Sequence, residues 1–272
     1  MSRIAARFRE LAERGERALV PFLMAGDPDL ACTERLVPAL VEGGADLIEI
    51  GVPFSDPIAE GPTIQAATER ALASGTSLRR VLGLVARLRE QVDVPLVLMG
   101  YANNFLHFGG REFARAAGEA GVDGVIVVDL PPEEGAELFE PLRAAGVDPI
   151  LLAAPTTVPA RLRLLARETR GFLYYVSLTG VTGARRELAA TLEQEVRRAR
   201  EVCPVPVCVG FGVSTPDHAR AIGRYADGVV VGSALVDRLA ATGAPDEAVC
   251  VARDFVAALK APLREPACPT AS

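Results

Sequence analysis

Eight short, almost wholly apolar runs recur along the chain, at residues 18–25, 47–52, 95–101, 124–129, 149–154, 172–177, 206–212 and 228–232, each bounded by Gly, Pro or Asp. Strands buried on both faces of a parallel sheet read as continuous apolar runs of this kind. Between them lie stretches with helical periodicity and charged faces, such as those that begin at Thr33 and at Arg111. The junctions repeat as well: Gly44-Ala45-Asp46, Gly121-Val122-Asp123 and Gly146-Val147-Asp148 each follow a helix and precede a strand, and Ala226-Asp227 does so without the glycine. A glycine just past a helix end accepts a positive φ at low cost, and the Asp turns the chain into the next strand. About eight such units in 272 residues predict a single (β/α)8 TIM barrel. An open doubly wound sheet is the competitor; it usually carries GxGxxG after its first strand, and that motif is absent. An extra helix is predicted over residues 3–14, and the stretch between the second and third strands holds two helices, from about Thr63 and from about Leu78. No linker-like composition divides the chain, so one domain is expected, with a flexible tail at about 265–272.

Composition narrows the chemistry. A net charge of −6 argues against a nucleic-acid binder, which needs a basic patch. The first fifteen residues lack the apolar core of a signal peptide, and no run approaches the roughly 20 apolar residues of a membrane-spanning helix; a soluble, cytoplasmic protein is expected. Cys32, Cys203, Cys208, Cys250 and Cys268 are odd in number and widely spaced, which suits free thiols better than disulfides or a zinc site. With only His107 and His218 available, a His-ligated metal or a Ser-His-Asp triad has little to draw on, so acid–base chemistry falls to carboxylates and no metal is expected.

Barrel enzymes place reactive groups at the C-terminal ends of strands and in the loops beyond, and four clusters fall there. In the second run, Ile48, Ile50 and Val52 alternate with Leu47, Glu49 and Gly51; the more apolar set packs on the helices, and Glu49 points into the barrel near its mouth. A carboxylate there is costly unless paired, and its pKa rises toward a useful range; a buried ion pair is the plain alternative. The loop from Pro53 to Pro62 is longer than the usual roughly 2–6 residues and carries Asp56 and Glu60, as a binding loop or lid would, or as a solvated, helix-capping loop. Gly180-Val181-Thr182-Gly183 follows the sixth run, and glycines let backbone N–H groups approach an anion. Gly210-Phe211-Gly212-Val213-Ser214 ends the seventh run, with Thr215 and Pro216 opening a helix; Val231-Gly232-Ser233 ends the eighth. Glycines at helix N-termini after strands seven and eight make the phosphate site that recurs in barrels. The residues alone thus predict a barrel enzyme, a small phosphorylated substrate and carboxylate catalysis.

Several stretches carry a more specific signal: residues 20–28 (VPFLMAGDP), 48–57 (IEIGVPFSDP), 61–65 (GPTIQ), 98–101 (LMGY), 176–183 (VSLTGVTG), 210–214 (GFGVS) and 231–234 (VGSA). In this order and spacing they resemble the tryptophan synthase alpha subunit along nearly the whole chain. The resemblance implies a lyase that cleaves indole-3-glycerol phosphate to indole and glyceraldehyde 3-phosphate by a retro-aldol reaction. It implies Glu49 as the acid–base residue and a second carboxylate that contacts the indole N–H and stabilises positive charge developing there. The family places Asp in that second position, inside Ala-Asp-Gly; here the triplet is Ala59-Glu60-Gly61. Glu keeps the charge and adds one methylene, on the order of 1 Å of reach, and misplacement on that scale can cost roughly 100-fold.

The resemblance further implies that Phe22, Tyr101, Tyr174 and Phe211 line the indole pocket, with Tyr175 facing the helices instead, and that Gly183, Gly212, Gly232 and Ser233 cradle the phosphate. Thr182 falls in a closing loop that meets the second carboxylate. It also implies an α2β2 complex with a beta subunit that holds pyridoxal phosphate and receives indole through a tunnel. The loop 53–60 and the region after Tyr101 would make the contact, and this chain itself would carry no cofactor. A stand-alone indole-3-glycerol phosphate lyase, or a non-catalytic activator of a beta subunit, remains open at the level of sequence.

Overall fold

The computed structural model describes residues 1–176, 185–210 and 212–265. Its eight strands are β1 (Ala18–Met24), β2 (Ile48–Gly51), β3 (Leu96–Gly100), β4 (Gly124–Val127), β5 (Asp148–Ala153), β6 (Leu173–Val176), β7 (Val207–Gly210) and β8 (Gly228–Val231). They close into a barrel in sequence order, every neighbour parallel, with β1 paired to β8. The expected (β/α)8 barrel is thus the observed one, and each strand lies within two residues of its predicted start. Helices intervene: α1 (Arg3–Arg14), α2 (Leu30–Glu42), α3 (Pro62–Ala73), α4 (Leu78–Arg89), α5 (Ala102–Phe108), α6 (Gly110–Ala120), α7 (Ala136–Ala144), α8 (Pro159–Glu168), α9 (Arg185–Val202), α10 (Pro216–Gly223), α11 (Ser233–Ala240) and α12 (Pro245–Lys260). The predicted tail lies almost wholly outside the described residues, as do Gly180 to Gly183, Phe211 and Cys268.

Alternation along each strand builds two cores. Leu19, Leu23, Ile48, Ile50, Leu96, Leu98, Val229 and Val231 face the helices. Ala18, Val20, Leu47, Val97, Ile126, Ile150, Cys208 and Val230 fill the barrel interior. The amphipathic α1 explains which end is closed. Ile4, Phe8 and Leu11, at helical spacing, join the interior cluster, and Phe8 lies 6.0 Å from Phe172 between ring centroids. The helix begins at Ser2, whose side chain accepts from the Ala5 amide, and ends at Gly15 at φ 70°. The N-terminal end of the barrel is therefore plugged.

The repeated Gly-x-Asp junctions do more than turn the chain. Gly44, Gly121 and Gly146 all take positive φ. Three of the junction Asp side chains reach sideways to the preceding strand: Asp46 Oδ2 accepts from Leu19 N at 2.8 Å, Asp123 Oδ2 from Leu96 N at 2.8 Å and, at the junction without a glycine, Asp227 Oδ2 from Val207 N at 2.9 Å. Thr169 Oγ1 takes the same place for Leu151 N at 3.1 Å. The bonds join β1 to β2, β3 to β4, β5 to β6 and β7 to β8. Each Asp also meets a cation: Lys260 Nζ at 2.9 Å from Asp46, Arg89 at 2.8 Å from Asp123 and Arg200 at 2.7 Å from Asp227. Asp148 does not join this ring; it begins β5.

Candidate active site

Glu49 sits on β2 with Phe22 and Val97 as its cross-strand partners, so all three project to the inner face. It is 1 % exposed, and its Oε2 has no hydrogen-bond partner among the described residues. Burial raises its carboxyl to about 8, and the negative charge of Glu60 adds to the rise. Glu60 closes the loop before α3; burial raises its carboxyl to about 7, and its Oε2 is likewise buried without a partner among the described residues. Two carboxyl groups on different elements therefore converge in one desolvated region, each able to hold or release a proton near neutrality.

Small residues open the space around them. A Cβ on Gly210 would lie 2.4 Å from Tyr174 Oη, and one on Gly51 would lie 2.7 Å from the tip of the Phe22 ring. Any side chain at either position would drive the ring out of its place. Tyr174 stands on the inner face of β6, its phenol pushed well up by burial and then by Glu49 and Cys208. Tyr175 faces outward as expected and donates to Glu195 of α9 at 3.0 Å. Phe22 and Tyr101 are both buried, Tyr101 just past β3.

The loop that carries Glu60 is pinned at three points. Asn104 Nδ2 donates to Pro53 O at 3.2 Å, Ala59 N donates to Tyr101 Oη at 2.9 Å, and Gln65 Nε2 donates to Glu60 O at 2.8 Å. Phe54 stacks on Tyr101 with centroids 5.0 Å apart. Sequence reasoning passed over Asn104 and Gln65. Asn104, three residues after Tyr101, also accepts from Tyr101 N at 3.1 Å and so starts α5. That polar residue at cap spacing was the available signal.

On the far side of the mouth, Gly212 is exposed at φ 76°, and Gly232 precedes α11, whose first residue is the exposed Ser233. Among the described residues no side chain caps α11, and the Leu235 and Val236 amides both turn back to Gly232 O. The amides of Ser233 and Ala234 are left facing out of the helix start, where an anion is favoured. A Cβ on Gly232 would touch the Phe22 ring at 3.7 Å, which ties this corner to the pocket beside Glu49. Thr182, Gly183 and Phe211 lie outside the described residues, so the structure brings together Glu49, Glu60, Phe22, Tyr101, Tyr174, Gly212, Gly232 and Ser233 without them. Among the described residues, no group of three or more His, Cys, Asp or Glu is placed to hold a metal ion, and no helix is long and apolar enough to cross a membrane.

The sequence profile of the family described as Tryptophan synthase alpha chain matches residues 8–262. The chain belongs to the tryptophan synthase alpha chain family. A tryptophan synthase alpha chain of Geobacter sulfurreducens is 56% identical over 236 residues, which covers 87% of this chain and 89% of that one. One from Burkholderia thailandensis is 50% identical over 272 residues, the full length of both. Among solved structures, tryptophan synthase subunit alpha from Legionella pneumophila superposes with a TM-score of 0.88 at 37% identity, covering 97% of this chain and 98% of that one. A Mycobacterium tuberculosis tryptophan synthase structure gives 0.87 at 38% identity, covering 97% and 99%. As a tryptophan synthase alpha chain the protein is a lyase of tryptophan biosynthesis that cleaves indole-3-glycerol phosphate, and the family works with a beta subunit.

Proposed function

We propose that Glu49 is the acid–base residue of this cleavage and Glu60 the carboxylate that meets the indole N–H. The bond between indole C3 and the glycerol chain breaks as C3 gains a proton and the adjacent hydroxyl loses one. A single carboxyl whose pKa lies near the working pH can give the first proton and take the second, and Glu49, buried and raised to about 8, suits both tasks. Positive charge that develops on the indole nitrogen is offset by the ionised Glu60 in the same low-dielectric region. Phe22, Tyr101 and Tyr174 supply the flat apolar walls for indole, joined by Phe211; the α11 start with Gly212, Gly232 and Ser233 receives the phosphate, joined by Gly183. The Thr182 loop closes over them. The observation that carries the reading is the convergence of two buried carboxyls, each with an oxygen unpartnered among the described residues, beside an uncapped helix start.

The further reading is an α2β2 assembly in the cytoplasm, in which this chain holds no cofactor and passes indole through a tunnel to a beta subunit that carries pyridoxal phosphate. Its support is the apolar surface at the mouth: Ile58 is 87% exposed, and Leu72 and Leu106 are each 39% exposed. Large side chains left in water this way on one face fit a partner surface. The test is indole release from indole-3-glycerol phosphate by the purified chain, with and without a beta subunit. Slow release that rises at least about 10-fold with the partner supports the assembly. Fast release unaffected by the partner would assign a stand-alone lyase, and no release in either condition an activator. In the same assay, Glu60→Asp is expected to preserve or raise the rate, because it restores the family's residue at this place. Complete loss of activity in that variant with folding intact would remove Glu60 from the role.

A further inference from the structure

We infer that the Tyr101 hydroxyl is a positioning group for Glu60: by accepting the Ala59 amide it fixes the loop segment from which the Glu60 carboxyl enters the mouth. This rests on the reading of Glu60 given above, and assigns to Tyr101 a task separate from its ring's contact with indole.

The loop between β2 and α3 has little of its own to hold it. Ser55, Asp56, Ile58 and Ala59 are exposed, so no apolar packing fixes the segment just before Glu60. Its restraints are hydrogen bonds: inside the loop Glu60 N donates to Pro57 O at 3.2 Å, and the nearest bond on the N-terminal side that ties Glu60 to the rest of the barrel is Ala59 N to Tyr101 Oη at 2.9 Å. Tyr101 is an apt anchor because it is itself held on several sides. It is 2% exposed, its ring stacks on Phe54, and its own amide is held by Asn104. Gln65 grips the Glu60 carbonyl from the other side at 2.8 Å. The reactive side chain thus hangs between two tethers from outside the loop, one on the preceding amide and one on its own carbonyl. The phenol stays protonated: burial raises its pKa, the Ala59 amide pulls it partly back, and the charges of Glu60 and Asp129 raise it again. It therefore accepts from Ala59 with a lone pair and keeps its proton.

The arrangement separates two parts of one residue. Tyr101→Phe keeps the ring, its stacking on Phe54 and its wall of the pocket, and removes only the tether. A catalytic group released from its geometry loses rate rather than substrate affinity. The expected result is a fall in kcat of about 10-fold with KM changed less than about 2-fold, and faster hydrogen exchange at the Ala59 amide. The deciding measurement is a double-mutant cycle with Glu60→Gln, read by single-turnover indole release. If the hydroxyl acts through Glu60, then Tyr101→Phe costs little once Glu60 is already Gln, and the two losses do not multiply. Losses that multiply would show the hydroxyl acting on the substrate directly and would overturn the inference. So would an unchanged kcat in Tyr101→Phe, or an Ala59 amide whose exchange does not quicken. Glu60→Gln alone reports on the underlying reading: if that variant keeps full activity, Glu60 has no role for Tyr101 to support, and the fault lies there rather than in the tether.

Discussion

Glu49→Gln is expected to cut indole release by about 1,000-fold or more while making the protein more stable at alkaline pH. The kinetic loss is that of a positioned acid–base group, which contributes on the order of 100- to 10,000-fold. Gln matches Glu in shape, so the pocket walls stay in place and the loss reports proton transfer. The stability gain follows from the direction of the pKa shift. Glu49 is held at about 8 in the folded protein, above its ordinary value of 4.5. The folded state therefore binds this proton more tightly than the unfolded chain does. Between about pH 4.5 and pH 8 the unfolded chain sheds it first, and stability falls as pH rises through that window. Above about pH 8 the full cost of a buried, unpaired carboxylate is present. Gln has no proton to lose, so its advantage over the parent grows from pH 5 to pH 9. Urea unfolding of both proteins at pH 5, 7 and 9, beside their rates, checks this. A variant within 10-fold of the parent rate, or a stability difference that does not change with pH, would sink the assignment. The parent's kcat/KM should also be bell-shaped, with limbs near 7 and 8 that belong to the Glu60–Glu49 pair together rather than to either alone.

Lys260→Ala is the second large effect, this time on folding alone. Lys260 is 2% exposed, and its ammonium lies at the plugged end of the barrel, where it donates to Asp46 Oδ2 and to Arg17 O, each at 2.9 Å, and pairs with Glu16 at 3.1 Å. Burial pushes the Asp46 carboxyl up, and Lys260 with the Leu19 amide pulls it back. Removing one partner of a buried pair leaves the other charge uncompensated, at a cost of about 3–5 kcal/mol. In a domain of this size about 1 kcal/mol moves Tm by roughly 2–4 °C, so a fall on the order of 10 °C is expected. Activity measured well below the transition should be unchanged, because the mouth is at the other end. The double variant Asp46→Leu with Lys260→Met should recover part of the loss, since apolar replacement of both partners is often tolerated. A single variant less than about 1 kcal/mol below the parent in denaturant unfolding would show that water reaches the Asp46 carboxylate.

The fold was written in local features strong enough to survive tertiary packing. The apolar runs, the junction glycines and the amphipathic first helix each map onto an element, because a strand buried on both faces and a helix buried on one leave distinct periodicities. The position of Glu49 was readable too, since strand alternation allows only two faces and the neighbours Ile48 and Ile50 claim the outer one. What could not be read depends on contacts between residues far apart in sequence. Tyr101 meets Ala59 across 42 positions, and Lys260 meets Asp46 across 214. No periodicity records such a pair. The Asp junctions were seen as turns, but their side-chain bonds to the preceding strand appear only once the barrel is closed. Gln65 and Asn104, polar residues in helix first turns, look like solvated positions until the loop they grip is in place.

Those four sideways bonds have a consequence for how the barrel divides. They fall between the first and second, third and fourth, fifth and sixth, and seventh and eighth strands, and skip the intervening seams. The eightfold ring is therefore built from quarters, each a pair of strands with its helices. Severing the chain before β3, β5 or β7 leaves every one of these stitches inside a single fragment. Severing it between β1 and β2, or within any other pair, parts a side chain from the amide it holds. Glu49 and the loop with Glu60 leave the first quarter, and Tyr101, which restrains that loop, opens from the second. The reactive centre lies across a seam between quarters, and neither quarter alone assembles it.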